Sequence, residues 1–369
     1  MSPSTPRPDG PSVTRPSSDG LSIGWADPAR AAAFQYWFST LSAEQGLDAA
    51  SLRLASADAS FRRYFRVDGS YASRIVMDAP PDKEDCAAFD RVARLMAASG
   101  LNVPEVLAWD RANGFMLLSD LGTRPMMAAL VPENPSANLP LYLQAVDLLL
   151  SWQLASQPGV LPPYDEALLL GELQLFPQWY LEQHRGVEIG AEQRRVLDST
   201  FQTIVRENLT WPSVYVHCDF MPRNLMLPPA GETRMGLLDF QDAVYGPITY
   251  DIASLMRDAF LTWDEDFVLD VTIRYWEKAR AAGLPVGSDF GAFYRGVEWM
   301  GLQRHLRVAG IFARIALRDG KPRYLADTPR FIQYIRATAG RYRELRPLLR
   351  LLDQVEGIAD RSAYAFGRI

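Results

Sequence analysis

The run His217-Cys218-Asp219-Phe220-Met221-Pro222-Arg223-Asn224 is followed, after a turn-rich stretch, by Leu237-Leu238-Asp239-Phe240-Gln241-Asp242. Phosphoryl transfer needs this order of polar groups. In the pattern H-x-D-x-x-x-x-N the Asp takes the proton of an acceptor hydroxyl, the Asn binds Mg²⁺, and a second Asp beyond a hairpin holds the bridging metal. Asp219 is therefore read as the general base, and Asn224 and Asp239 as the metal ligands. His217 opens the loop, and a structural duty beneath the site suits it better than proton transfer.

The surrounding residues must bring these groups together. Leu225-Met226-Leu227 leaves the loop, Pro228-Pro229-Ala230-Gly231-Glu232 turns, and residues 235–238 return to deliver Asp239. A hairpin so built places Asn224 and Asp239 at one end, where two oxygen ligands suit Mg²⁺, which keeps waters and takes its other ligands from ATP phosphates. Asp242 is either a third ligand or a structural, loop-capping carboxylate. Asp251 starts a helix over residues 251–260, where N-capping or tethering the loop fits it better than chemistry. Cys218 reads as a small buried hydrophobe.

Upstream, residues 29–41 predict a helix with Phe34, Trp37 and Phe38 on one face, and a β-rich region begins at residues 52–54. Strands are expected at residues 64–67 and 75–77 about the turn Asp68-Gly69-Ser70, then an amphipathic helix to about residue 98 closed by Gly100, then strands at 106–109 and 115–118. Beyond Ser119-Asp120-Leu121-Gly122 the chain turns helical, beginning with a long helix over residues 139–157. Apart from the strands at 214–216, 225–227 and 235–238, it stays so. The expected class is α+β and bilobal: a Pro/Ser-rich disordered tail (1–24), a small β-rich N-lobe (25–118), a hinge (119–122) and a larger, mostly helical C-lobe (123–369).

Composition narrows the options. At 369 residues, 48% hydrophobic, the chain can bury a full core. A net charge of −6 argues against a nucleic-acid groove or a membrane surface, both of which need concentrated positive charge. No apolar run approaches a bilayer span, and two cysteines make neither a disulfide framework nor a zinc site. A cytoplasmic protein with no obligate protein partner is expected.

These residues resemble the aminoglycoside phosphotransferase and choline kinase superfamily, which shares the bilobal fold of protein kinases. The segments HCDFMPRNLML, LLDFQDAVYGPITYDIASLMRDAF and MGLQRHLRVAGIFARIALRDGKPRYLADTPRFIQYI, with SFRRYFRV and IVMDAPPDKED, are more narrowly similar to the bacterial amino-sugar anomeric kinases of cell-wall recycling. The likeness covers most of the chain after the tail. It implies transfer of the ATP γ-phosphoryl group to the C1 hydroxyl of N-acetylmuramate or N-acetylglucosamine, with Asp219 as base and Asn224 and Asp239 on Mg²⁺. The alternatives are another small-molecule kinase of the aminoglycoside, choline or homoserine kind, or a nucleotide-binding pseudokinase.

Two departures matter. Lys83, Lys278 and Lys321 are the only lysines, and the strand Arg74-Ile75-Val76-Met77-Asp78 offers Met77 where most kinases place the phosphate-gripping lysine. Arg62, Arg63 and Lys83 are the local replacements, Ser60 and Phe61 open a loop whose backbone N–H groups could cradle phosphate, and Asp120 is placed on the nucleotide side. Met221 likewise stands where many protein kinases carry a catalytic-loop lysine. On the acceptor side, Arg223, Gln303, Arg304 and His305 are the candidate substrate contacts, Arg304 or Arg307 pairing with the lactyl carboxylate of N-acetylmuramate.

Overall fold

The computed structural model describes residues 24–358 except 26, 57–60, 230 and 232. The expected tail therefore lies outside the described residues save for Gly24, and so does Ser60. The fold is α+β, a sheet-rich lobe followed by a helical one.

The first lobe alternates helix and strand: α1 (Pro28–Gln45), β1 (Leu47–Ser56), β2 (Arg63–Gly69), β3 (Arg74–Asp78), α2 (Cys86–Ala98), β4 (Val106–Asp110) and β5 (Phe115–Ser119). The five strands form one antiparallel sheet in the order β1-β2-β3-β5-β4. Side chains on a strand alternate between faces, and the register aligns Tyr64 with Met77 and Met116, and Phe65 with Val76 and Leu117. Phe65, Val76 and Leu117 accordingly meet Phe34, Phe38 and Leu41 of α1 in a small core of their own. Met77 and Met116 face the other way, with Phe89, Val92 and Met96 of α2.

α2 starts where Asp85 accepts from the backbone N–H groups of Ala87 and Ala88, and it ends before Gly100. Gly100 takes a positive φ of 80° that a side chain would resist.

The second lobe contains α3 (Leu139–Leu154), α4 (Glu166–Leu173), a π-helical segment Phe176–His184, α5 (Ala191–Asn208), β6 (Ser213–Val216), β7 (Leu225–Met226), β8 (Gly236–Leu237), β9 (Val244–Pro247), α6 (Tyr250–Met256), α7 (Glu265–Ala281), α8 (Phe290–Arg318), α9 (Thr328–Arg341) and α10 (Arg346–Val355). α8, 29 residues long, is its central pillar, packed against α5, α6, α9 and the π-helical segment. Two small ribbons, β6 with β9 and β7 with β8, carry the polar motif at their ends. β9 was not expected from the sequence: Gly246 and Pro247 are poor strand formers, and pairing with β6 overrides them. Among the described residues no helix is long and apolar enough to cross a membrane.

Candidate active site

The loop after β6 is held from below. The Asp251 carboxylate, buried in the first turn of α6, accepts from the backbone N–H of His217 at 2.7 Å and of Cys218 at 3.1 Å. Burial pushes the Asp251 carboxyl up to about 7, against the pull of those bonds and of Arg304. This tether restrains a loop with stored strain, since Cys218 (φ 75°) and Asp239 (φ 65°) sit in the left-handed region that side chains disfavour. His217 is buried, accepts from the Asp219 backbone N–H through Nδ1 and lies edge-on to Phe220. Burial drives it down to about 4, so it is neutral near pH 7.

The β7–β8 hairpin does what its sequence implies. Leu225 pairs with Leu237, and the backbone N–H of Leu238 donates to the Asn224 carbonyl at 2.9 Å. Asp239 thereby arrives beside Asn224. Asn224 Nδ2 donates to the Asp219 carbonyl at 2.9 Å and to Asp239 Oδ2 at 3.4 Å, which leaves its Oδ1 as the atom that could meet a cation. Desolvation by the surrounding protein, then the nearby Asp219 charge, push the Asp239 carboxyl up to about 6, while Gln241 and Arg62 oppose the rise. Gln241 Nε2 reaches both Asp239 (3.1 Å) and Asp242 (3.3 Å), so Asp242 joins the site through Gln241. Carboxylates crowded together, Asp219 half-buried and Asp239 and Asp242 exposed, suit a divalent cation. Among the described residues no three carboxylate, thiol or imidazole groups converge as a protein-caged metal would need.

On the side of the sheet the candidates separate. Arg62 pairs with Glu84 at 2.7 Å, both side chains only 10% exposed, and lies against the Tyr64 hydroxyl. Glu84 was not expected from the sequence, nor was its second bond, from the backbone N–H of Phe61 at 3.1 Å. That N–H is thus already engaged rather than open to phosphate, and the Phe61 side chain is 63% exposed.

Arg63 is on the opposite face of the sheet, stacked 4.0 Å over Trp25 and bonded to Asp78, because adjacent strand residues point apart. Lys83 is half exposed and pairs with Asp82 at 3.5 Å. Asp120 is committed to bracing the segment after β5, accepting from Arg66 twice (2.6 and 2.9 Å), from Ser73 (2.7 Å) and from the Gly122 N–H (2.9 Å). Burial works against its ionisation, but the bonds from Arg66 and Ser73 hold it below the usual carboxylate range.

Three consecutive helical residues turn by about 100° each and cannot face one ligand. Gln303 donates to the Leu169 carbonyl of α4 at 2.9 Å, and His305 stacks on Tyr334 (4.5 Å), burial pushing it down to about 3. Both are packing groups in this structure. Arg304, 4% exposed, lies 5.2 Å over the Tyr250 ring. Its Nε has no hydrogen-bond partner and no ion pair joins it to a carboxylate among the described residues.

One turn on, Arg307 donates to the Tyr250 hydroxyl at 2.7 Å and pairs with Glu172 at 3.3 Å, within the field of Asp219. Arg223 stacks 4.6 Å over Phe260 and faces buried Asp258, whose Oδ2 is unpartnered. Glu172 lies outside every segment that carries the resemblance, and Tyr250 and Asp258 lie within one but were assigned no role from the sequence.

The model of the family described as "Phosphotransferase enzyme family" matches residues 51–285. The chain is 49% identical over 323 residues to the N-acetylmuramate/N-acetylglucosamine kinase of Neisseria meningitidis, covering 87% of this chain and 94% of that one. It is 50% identical over 303 residues to the protein of the same name from Pseudomonas aeruginosa, with 82% and 88% covered.

Among solved structures, a choline kinase from Streptococcus pneumoniae superposes with a TM-score of 0.59 at 12% identity, covering 83% of this chain and 99% of that one. A thermostable aminoglycoside phosphotransferase mutant in ternary complex with ADP and hygromycin B gives 0.54 at 16%, with 81% and 97% covered. At those identities the likeness is one of fold.

Proposed function

The chain belongs to the phosphotransferase enzyme family, among the N-acetylmuramate/N-acetylglucosamine kinases, and from that membership we propose that it transfers the γ-phosphoryl group of ATP to the anomeric C1 hydroxyl of these amino sugars. The products are sugar 1-phosphates suited to peptidoglycan recycling and UDP-sugar salvage, work done in the cytoplasm. The observation that carries the reading is the meeting of Asp219, Asn224 and Asp239 at one point, tied by the Asn224 amide.

In this reading Asp219 orients the sugar hydroxyl and takes its proton as the new bond to phosphorus forms. Asn224 and Asp239 would hold Mg²⁺, which when bound supplies charge neutralisation at the phosphate oxygens. His217, neutral and bonded to the Asp219 backbone, keeps the loop in place. Arg304, a buried cation that lies in the field of Asp251 and Asp258 but is ion-paired with neither, takes the lactyl carboxylate of N-acetylmuramate. Its guanidinium lies over the ring of Tyr250 in α6, the helix whose Asp251 tethers the loop that bears Asp219.

A coupled ADP-release assay with each sugar tests the assignment, with ³¹P NMR identifying the 1-phosphate. If neither sugar stimulates release while an aminoglycoside, choline or homoserine does, the substrate class is wrong. Arg304→Met supplies the finer test, because N-acetylglucosamine lacks the carboxylate. KM should rise about tenfold or more for N-acetylmuramate, the loss of one charge-assisted contact, and stay level for N-acetylglucosamine. Equal rises for both would remove Arg304 from carboxylate recognition.

A further inference from the structure

We propose that Arg314 of α8 is a second anion-binding residue on the acceptor side, placed to take a carboxylate of a short acidic peptide that extends the lactyl group of N-acetylmuramate. The inference rests on the amino-sugar reading above and widens it from the free sugar acid to peptide-bearing forms of it.

From its midpoint onward α8 carries Arg304, Arg307, Arg314 and Arg318. At about 100° per residue these four positions fall within an arc of about 80°, so they form one stripe. At about 1.5 Å per residue, Arg314 stands about 10 Å beyond Arg307 and about 15 Å beyond Arg304. Burial marks the same stripe independently. Between residues 307 and 316 only Arg307, Val308, Ile311 and Arg314 are half-buried, and the rest are buried. One edge of the helix is therefore open, and two arginines give it its charge.

The neighbouring elements run in step with that edge. Glu172 of α4 meets Arg307, and the Leu175 carbonyl lies where a Cβ on Gly310 would fall. The next turn of α8, with Arg314, thus runs beside the π-helical segment Phe176–His184 that packs against it. Such turns are rare in proteins and are frequent at functional sites.

The charge of the stripe is only half matched. Arg307 pairs with Glu172 at 3.3 Å, and Arg318 holds Asp319 by two bonds of 2.6 and 3.0 Å. Glu182, in the π-helical segment, is taken by Arg194 at 3.4 Å. Arg314 lies in the field of Asp319 and of the like-charged Arg318 and Arg307, but it is ion-paired with no carboxylate among the described residues. Its Nε is buried and has no hydrogen-bond partner. A guanidinium so placed gains from an anion brought by a ligand, because a buried donor left unused is costly and a charge-assisted bond is strong.

Spacing selects the anion. With the lactyl group at Arg304, an acid meant for Arg314 must stand about 15 Å along the helix, less what the two long side chains cover. Extended peptide advances about 3.3–3.6 Å per residue, so two or three residues on the lactyl carbonyl bring an acidic side chain or a C-terminus within reach. A phosphate on the sugar ring itself would stay near Arg304. Amidation removes the lactyl charge but leaves a carbonyl that still accepts from the Arg304 guanidinium. Half-buried Val308 and Ile311 lie between the two cations as an apolar floor for the peptide.

Initial rates of ADP release by the full-length protein decide the matter. The acceptors are N-acetylglucosamine, N-acetylmuramate, N-acetylmuramate amidated by a dipeptide ending in an acidic residue, the same dipeptide sugar with its carboxylates amidated, and N-acetylglucosamine 6-phosphate. Wild-type KM should be about tenfold or more lower for the acidic dipeptide sugar than for its amidated twin, the size of one charge-assisted contact. Arg314→Met should abolish that difference, Arg314→Glu should reverse it and Arg314→Lys should keep part of it, with KM for N-acetylglucosamine level throughout. The proposal is overturned by equal KM values for the two dipeptide sugars in the wild type, or by a preference for the acid that survives Arg314→Met. Turnover of N-acetylmuramate without turnover of either dipeptide sugar overturns it too, as does an equal dependence of the 6-phosphate on Arg314, which would reduce the stripe to general attraction of anions.

If no amino sugar is turned over, the substrate assignment fails, and calorimetric titration with the two dipeptide sugars decides the site by itself. Tighter binding of the acid that is lost in Arg314→Met upholds the site, and equal binding of the two overturns it.

Discussion

At the scale of single residues, proton and cation compete for one carboxylate. Desolvation by the surrounding protein and the charge of the neighbouring Asp219 both favour the protonated form of Asp239 and push its carboxyl up to about 6 from the ordinary carboxylate value. The shift is upward, so Asp239 is mostly ionised at about pH 7.5 and mostly protonated below about 6, where a proton must leave before a metal can bind. The Mg²⁺ concentration for half-maximal ADP release should therefore rise as the pH falls from about 7.5 to about 5.5, with saturating Mg²⁺ restoring part of the rate. Identical Mg²⁺ dependence at the two pH values would dismiss Asp239 as a ligand. The meeting of Asn224 and Asp239 was legible because fifteen residues of hairpin contain all the information that joins them. Glu84 was not, because its partners, 22 and 23 residues earlier, become neighbours only through the sheet.

At the scale of elements, local patterns are legible in the chain, and whatever distant neighbours decide is not. The strands of the first lobe and the amphipathic helix α2 follow from period and turn chemistry, to within a few residues at their ends. Residues 303–305 do not form the single contact surface that their polar composition suggests, because helical rotation spreads them around α8. Only Arg304, with Arg307 one turn away, points toward Tyr250. The position of α8 depends on close approach to the residue before the π-helical segment: a Cβ on Gly310 would fall 2.4 Å from the Leu175 carbonyl oxygen. Backbone cannot yield as a flexible side chain can, so Gly310→Ala must push α8 away and carry Arg304 and Arg307 with it. Overpacking of this kind costs about 1–3 kcal/mol, and denaturant unfolding should register that loss. A stability equal to wild type would show that the two segments are not in the contact described.

At the scale of the whole molecule, the two lobes are not independently cored. The small cluster under α1 is private to the sheet, but the large one runs from Met77 and Phe89 through Phe240 to Trp299 and Leu352. Phe240, directly after Asp239, packs 4.9 Å from Phe89 of α2, so the hairpin that delivers Asp239 is also the splice between lobes. A backbone bond reinforces it: Leu237 donates to the Asn102 carbonyl at 2.8 Å. Contacts between residues so far apart leave no local mark on the chain, where the turn at residues 119–122 suggests separable units. A shared core predicts cooperative unfolding, whereas separate cores predict two transitions.

Differential scanning calorimetry should accordingly show one transition with matching calorimetric and van't Hoff enthalpies. Mg-ADP, bound on the reading above at the hairpin that joins the lobes, should raise its midpoint without splitting it, by about 2.7 kcal/mol of stability at a hundredfold excess over Kd. Two peaks, with Mg-ADP moving only one, would place the nucleotide in a single lobe and break the link drawn here between Phe240 packing and the geometry at Asp239.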